Sequence, residues 1–226
     1  GNGVDWLQGW GTLVDGKGSD KTVKFTALAD EAESTITAKN VILAAGSVPI
    51  SIPVAKVDED RIVDSTGALS FTETPKSLGV IGGGDIGLEL GSVWRRLGSE
   101  VIVYEALPTL LAAADKDIAK EAGKMFKKQG LDIRIDTKVI NAEVQGDEVV
   151  VTSENKGESS EQRFDKLIVC VGRRAYSEKL LGEDSGVNLT ERGLIDVDDQ
   201  CKTNLDGVYA IGDLVRGPML AHKAME

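Results

Sequence analysis

Residues 77–105 read SLGVIGGGDIGLELGSVWRRLGSEVIVYE, and the order of residue types in this stretch decides the fold. SLGVI is a short apolar run ending in glycines, which predicts a buried strand over 78–82. Ile86, Leu90, Val93 and Leu97 then recur with the period of one helix face, and Gly98 supplies a stop. SEVIVYE at 99–105 is the next strand. Between strand and helix stand Gly82-x-Gly84-x-x-Gly87. Glycines so spaced permit a tight turn, close approach of a pyrophosphate to bare backbone, and close helix–strand contact, while the helix N-terminus turns its N–H groups toward the phosphates. Glu105, at the end of the second strand, is placed to accept hydrogen bonds from the adenosine ribose hydroxyls. Residues 106–112, ALPTLLA, offer no arginine for a 2′-phosphate, so NAD is expected rather than NADP.

The loop also holds a carboxylate, Asp85. One reading is an ordinary acid at a helix N-terminus, favoured there by about 0.3 to 1 kcal/mol. The other is a side chain on the nicotinamide path, whose charge repels the pyrophosphate or favours the oxidised, cationic ring over NADH.

Downstream, a second helix is expected from about Lys116 to Gln129, with Ile118, Ala122, Met125 and Phe126 on its inner face and Gly130 as terminator. LDIRID (131–136) then closes a β-α-β-α-β unit, which implies a parallel sheet with right-handed crossovers. A β-meander follows: TKVINAEVQ, a Gly146-Asp147 turn, EVVVTSE, the polar turn NKGESS, and RFDKLIVCVG read as one strand ending at Gly172. Upstream, residues 5–14, 21–28, 34–37 and 40–46 show the same order of parts, a meander and then an apolar strand ending in glycine. Residues 47–77 read as an irregular connection, and GVYAIGD (207–213) as one more strand. The expected fold is therefore α/β: a Rossmann-like three-layer domain with a β-meander at 48–172, flanked at 1–47 and 173–226 by pieces of a second domain of the same architecture. That second domain is expected to lack its own β-α-β unit, and both chain ends are expected to be cuts.

Composition narrows the function. The chain has 226 residues, 41% apolar and 28% charged, with 37 acidic against 26 basic side chains and a formal net charge of −11. Such a balance disfavours nucleic acid and anionic membranes as partners. No apolar run approaches the roughly 18 to 20 residues of a membrane helix, and residues 1–20 lack the layout of a secretion signal. The two cysteines, Cys170 and Cys201, lie in unlike contexts, and His222 is the only histidine. Neither a disulfide framework nor a metal site is expected, which fits a reducing compartment.

GGGDIGLELGSVWRRLGSEVIVYE, LIVCVGRR, GVYAIGD and GPMLAHKA, in that order and spacing, together with DSTGALSF at 64–71, resemble the dihydrolipoamide dehydrogenases of the pyridine-nucleotide–disulfide oxidoreductase family. The likeness runs through nearly the whole chain, and GPMLAHKA is its most discriminating piece. In that family an FAD domain is interrupted by an NAD domain. The resemblance implies that Gly82, Gly83, Gly84, Asp85, Ile86, Gly87, Leu88 and Glu89 line the NAD pyrophosphate and nicotinamide path, with Glu105, Val139 and Gly172 completing the NAD contacts. For FAD it implies Gly11, the turn Ala45, Gly46 and Ser47, then Asp213 on the ribitol side, and Met219, Leu220, Ala221 and His222 near the flavin ring. Asp213 is also open to reading as a turn-forming residue after glycine.

The resemblance places the family's catalytic base, a histidine paired with a glutamate, in a C-terminal interface domain, so His222 is not assigned as a base and no catalytic residue is expected here. The family's redox disulfide and first FAD fingerprint have no match, so the chain by itself is expected to be inactive and monomeric. The whole protein is expected to be a homodimer that oxidises the lipoyl domains of 2-oxo acid dehydrogenase complexes, in the cytoplasm or, in a eukaryote, the mitochondrial matrix. Ala45, Asp85 and Ala175 depart from the family pattern, which uses threonine, an apolar residue or tyrosine, and proline there. Two alternatives stay open: another flavoprotein disulfide reductase or NADH oxidase, and a non-catalytic nucleotide-binding protein.

Overall fold

The computed structural model describes residues 2–225. It divides into two units, one made of the residues up to Val48 and from Arg174 onward, the other of Pro49–Arg173. In chain order the first strands are β1 (Gly9–Asp15), β2 (Lys21–Ala27), β3 (Glu33–Ala38), β4 (Val41–Leu43) and β5 (Ser47–Pro49). The second unit continues with β6 (Ile62–Asp64), β7 (Ser77–Ile81), α1 (Asp85–Leu97), β8 (Glu100–Tyr104), α2 (Lys116–Lys128), β9 (Asp132–Arg134), β10 (Thr137–Gln145), β11 (Glu148–Asn155), β12 (Glu158–Phe164) and β13 (Lys166–Val169). Strands β14 (Arg173–Ala175) and β15 (Val208–Ala210) follow.

The second unit has three layers. Its middle is a parallel sheet in the order β6-β13-β7-β8-β9. Alternate residues of these strands face opposite sides, as the strand period requires. Leu78, Val80, Val101, Val103 and Ile168 pack with Leu88 and Trp94 of α1, while Ile81, Tyr104, Leu167 and Val169 pack with Val139, Val149, Val151 and Phe164 of the antiparallel meander β10-β11-β12. Burial on both faces explains why β7, β8 and β13 are almost wholly apolar. From the central β7 the chain winds through α1 and α2 to β8 and β9 on one side, while β13 and β6 lie on the other. The strand order thus reverses between β7 and β13, and the carboxyl ends of those strands are where a ligand crevice forms in such sheets.

The helix limits follow from capping. Gly98, at φ 116°, ends α1 with its N–H on Arg95 O, and the Asp115 side chain caps α2 by accepting from Asp117 N at 2.9 Å. The expected helix faces need correction. Val93 and Leu97 are exposed, and α1 instead turns Gly87, Leu88, Leu90, Gly91 and Trp94 inward. Glycine lets the helix close on the sheet: a Cβ at Gly91 would already touch Val101 at 3.4 Å. In α2, Ile118 and Met125 are exposed, and the inward stripe is Ala119, Ala122, Gly123 and Phe126.

Three further expectations change. Residues 5–8 precede β1 and are not strand. RFDKLIVCVG is two strands: β12 ends at Phe164 in the meander and β13 begins at Lys166 in the parallel sheet. Asp165 makes that corner by accepting the N–H groups of Lys76 and Ser77 at 2.7 and 3.0 Å. Within 47–77, Ile62–Asp64 is an edge strand of the parallel sheet, and NKGESS shrinks to a Lys156-Gly157 turn before β12.

The first unit has the antiparallel meander β1-β2-β3 and a parallel pair, β4 with β15. Its core gathers Leu13, Leu43, Ile195, Val197, Val208, Ala210 and Leu214.

Candidate functional site: the glycine loop and its cleft

Each glycine of the loop answers a separate steric demand. Gly82 has φ 115°, and a Cβ on it would stand 2.2 Å from the carbonyl oxygen of Cys170. Gly87 lies against the loop's own backbone, where a Cβ would meet Gly82 O at 2.1 Å. Gly84 is different: a Cβ there would meet nothing within 4 Å. That open side lies at the N-cap of α1, where the N–H groups of the first turn have no acceptor within the helix. Two glycines therefore shape the turn, and the third leaves room in front of an anion-attracting helix end.

Neighbouring strands hold the loop. Gly82 N–H donates to Tyr104 O at 2.8 Å and Cys170 N–H to Ile81 O at 2.8 Å. Glu105 holds it with its side chain, accepting Gly83 N–H on Oε2 at 2.7 Å and Leu107 N–H on Oε1 at 2.8 Å. Its carboxylate is thereby fixed in orientation while each oxygen retains further acceptor capacity.

Around the loop lies a cleft of about 590 Å³, in the size range of small-ligand sites. Gly82, Gly83, Gly84, Asp85, Ile86, Glu105, Val139 and Gly172 all line it. Of the other residues assigned to this path, Gly87 and Leu88 are buried, and Glu89 is exposed further along α1. Several wall residues were not anticipated, notably Ser65, Tyr104, Lys138, Cys170 and Arg173. Cys170 and Arg173 lie in the stretch LIVCVGRR but carried no assigned role, and Lys138 neighbours Val139; strand order brings all three to the cleft. Burial, reinforced by the carboxylates of Asp64 and Asp85, pushes the Cys170 thiol up to about 12. It stays protonated near neutrality and is no nucleophile.

In the first unit, Ser47 Oγ donates to Asp213 Oδ2 at 2.5 Å, so residues far apart in sequence meet. Gly46, at φ 73°, accepts Tyr176 N–H on its carbonyl at 3.0 Å. Asp213 sits in the 3-10 turn Gly212–Leu214. His222 and Ala221 lie in a second such turn, Ala221–Ala224, preceded by half-buried Met219 and exposed Leu220. Ala45 is exposed, and Gly11 is exposed in β1 opposite Phe25. Among the described residues no three His, Cys, Asp or Glu side chains gather as a metal would need, and no helix is long and apolar enough to cross a membrane.

Comparison with known proteins agrees with this architecture. The chain is 47% identical over 224 residues to a dihydrolipoyl dehydrogenase of Cupriavidus necator, covering 99% of this chain and 46% of that protein. It is 40% identical over 225 residues to the mitochondrial dihydrolipoyl dehydrogenase of Schizosaccharomyces pombe, covering 99% of this chain and 43% of the other. Among solved structures, a Cu(II) complex of the HOCl-induced flavoprotein disulfide reductase RclA from Escherichia coli superimposes with a TM-score of 0.86 at 26% identity, over 99% of this chain and 49% of that one. The chain thus spans about half the length of the relatives it matches. Residues 1–226 match the pyridine nucleotide-disulphide oxidoreductase family over their whole extent, and the chain belongs to that family.

Proposed function

We propose that Pro49–Arg173 is the NAD-binding part of a dihydrolipoyl dehydrogenase and that the other unit contributes to its FAD site. The observation that carries this is the glycine loop, where Gly82 and Gly87 are sterically obligatory while Gly84 opens onto a helix N-terminus. The pyrophosphate would lie over Gly83 and Gly84, the adenosine ribose against Glu105, and the adenine toward Val139. Glu105 favours NAD over NADP because its carboxylate, tied to Gly83 and Leu107, cannot swing away from a 2′-phosphate. On the flavin side, Asp213 held by Ser47 fits an acceptor for ribitol hydroxyls, and the Gly46 turn keeps the backbone bare beside it.

In the whole protein NAD+ would accept a hydride that originates in protein-bound dihydrolipoamide and passes through a disulfide and FAD. Residues of this chain would bind and orient the nucleotides, and the lipoyl domains of 2-oxo acid dehydrogenase complexes would be the partners of the homodimeric whole. A cytoplasmic or mitochondrial-matrix setting follows from that role. A chain holding only these two units would bind nucleotide as a monomer without turnover.

Titration of the 226-residue chain with NADH and NADPH, followed by nucleotide fluorescence, tests the reading. Saturable NADH binding is expected, NADPH weaker by at least about tenfold, and Glu105→Gln should narrow that gap by removing the charge that opposes the 2′-phosphate. Equal affinity for both nucleotides would refute the assigned role of Glu105, and no binding of either would refute the cleft.

A further inference from the structure

The cleft has two chemically unlike ends. Adenosine is drawn to the β8–β9 side, where Glu105 stands, so the nicotinamide half of a nucleotide straddling the loop must extend over β13 and β6. The wall there is made by Ser65, Asp85, Ile86, Cys170 and Arg173. Asp64, the last residue of β6, lies just before it with its carboxylate turned to the N–H groups of Thr66 and Gly67 at 2.7 and 3.0 Å. Asp85 occupies the first position of α1 and is exposed to the cleft, with no side-chain cap at the preceding Gly84.

We propose that Asp85 is a specificity-determining residue that makes this cleft favour the oxidised nucleotide, NAD+, over NADH. The inference rests on the nucleotide-binding reading above. The two redox forms share every group except the nicotinamide ring, which carries a positive charge when oxidised and none when reduced. Repulsion between Asp85 and the pyrophosphate is therefore common to both and cancels in the ratio of their affinities. Attraction to the ring survives in the ratio. The opposing cation on the wall is Arg173, yet the charges that act on the Cys170 thiol are both negative, those of Asp64 and Asp85. Two carboxylates, Asp64 and Asp85, thus stand at that end beside one arginine, Arg173. Asp85 is exposed, and with screening between that of a protein surface and that of bulk water, unit charges about 6 to 8 Å apart shift an affinity ratio by roughly three- to tenfold. For a protein whose product is NADH, the same bias would hasten product release.

The test uses the whole chain and its Asp85→Asn variant, with NAD+, NADH and ADP-ribose as ligands in calorimetry at low salt. ADP-ribose lacks the ring and so reports the pyrophosphate and adenosine alone. In the variant, NADH and ADP-ribose should tighten by the same factor, while NAD+ should tighten about three- to tenfold less or weaken outright. Adding salt should shrink the difference between the parent and variant ratios. Equal changes for all three ligands would overturn the proposal and leave Asp85 acting on the pyrophosphate only. Failure of the unsubstituted chain to bind ADP-ribose would instead overturn the nucleotide cleft itself. Asp85→Glu, which keeps the charge at the helix start, should preserve the parent ratio; a ratio moved as far as that of Asp85→Asn would show that shape and not charge is responsible.

Discussion

The meander β1-β2-β3 and the meander β10-β11-β12 are one device in two settings. The second covers the five-stranded parallel sheet, and its residues Val139, Ala142, Val149, Val151 and Phe164 share a core with that sheet. The first contributes Leu13 to a core whose parallel component is only two strands, β4 and β15. Ile42, at the centre of β4, is 65% exposed, whereas Leu78 in β7 is fully buried. Among the described residues the first unit also has 3-10 turns and no α-helix, so nothing there presents a helix N-terminus to a glycine loop. Meander and apolar strand recur in both units, but the glycine-loop cleft lies where the sheet reverses its strand order and a helix begins on the bare loop.

The sharpest way to break the comparison is at its glycines. Gly87→Ala places a methyl carbon 2.1 Å from the Gly82 carbonyl oxygen, backbone against backbone, with no flexible side chain to yield. The loop and the first turn of α1 cannot both persist, and a loss of at least about 4 kcal/mol is expected in the second unit. Gly11→Ala in β1 meets only Val23 at 3.7 Å, ordinary contact, and should change stability by less than about 0.5 kcal/mol. Urea unfolding with hydrogen exchange resolved by residue separates the units. If both substitutions cost the same, the loop glycines are not the steric keystones described above.

The next effect compares one parallel strand from each unit. Leu78→Ala empties a site in the helix-side core and should cost about 3 kcal/mol, while Ile42→Ala should cost less than about 1 kcal/mol because its side chain is mostly in water. Similar losses at both positions, read from the urea midpoints, would mean that β4 is covered in solution.

Much of this was legible beforehand because the signals are local. Glycine spacing between an apolar strand and an apolar-periodic segment located β7, the loop and α1, and Gly98 fixed the helix end through its positive φ. The helix faces were misread for a physical reason. Hydrophobic periodicity weighs Val93 and Leu97 and ignores Gly87 and Gly91, yet tight helix–sheet contact selects small residues. Asp165 carries no local sequence signal, because the N–H groups it accepts, those of Lys76 and Ser77, lie far away in sequence. Ser65 and Arg173 lie inside the stretches DSTGALSF and LIVCVGRR and Lys138 beside Val139, but their place on the cleft wall depends on strand order, which no local spacing encodes. Glu105 was legible as an acid at a strand end, but its hold on Gly83 N–H depends on a loop geometry that no spacing encodes.

The smallest effect concerns Tyr104, whose hydroxyl is buried without a hydrogen-bond partner between the sheet and the meander, its ring edge-on to Phe164. Burial, opposed in part by Arg134, pushes its phenol from 10.0 up to about 12. A folded-state value above the unfolded one means that the neutral phenol is what the fold accommodates. The associated stability is present in full below pH 10 and is lost as pH rises toward 12. Cys170 follows the same sign from 9.0 to about 12, and both groups belong to the second unit, so alkaline weakening should start there. Tyr104→Phe removes the orphan hydroxyl at nearly constant shape, and about 1 kcal/mol of added stability at pH 7 is expected. The same substitution should flatten the decline between pH 10 and 12 while leaving the contribution of Cys170 in place. Urea midpoints at pH 7 and pH 11 read both effects. A destabilised Tyr104→Phe at pH 7 would show that the hydroxyl has a partner in solution, such as a bound water, and that the interface between sheet and meander is wetter than its apolar composition implies.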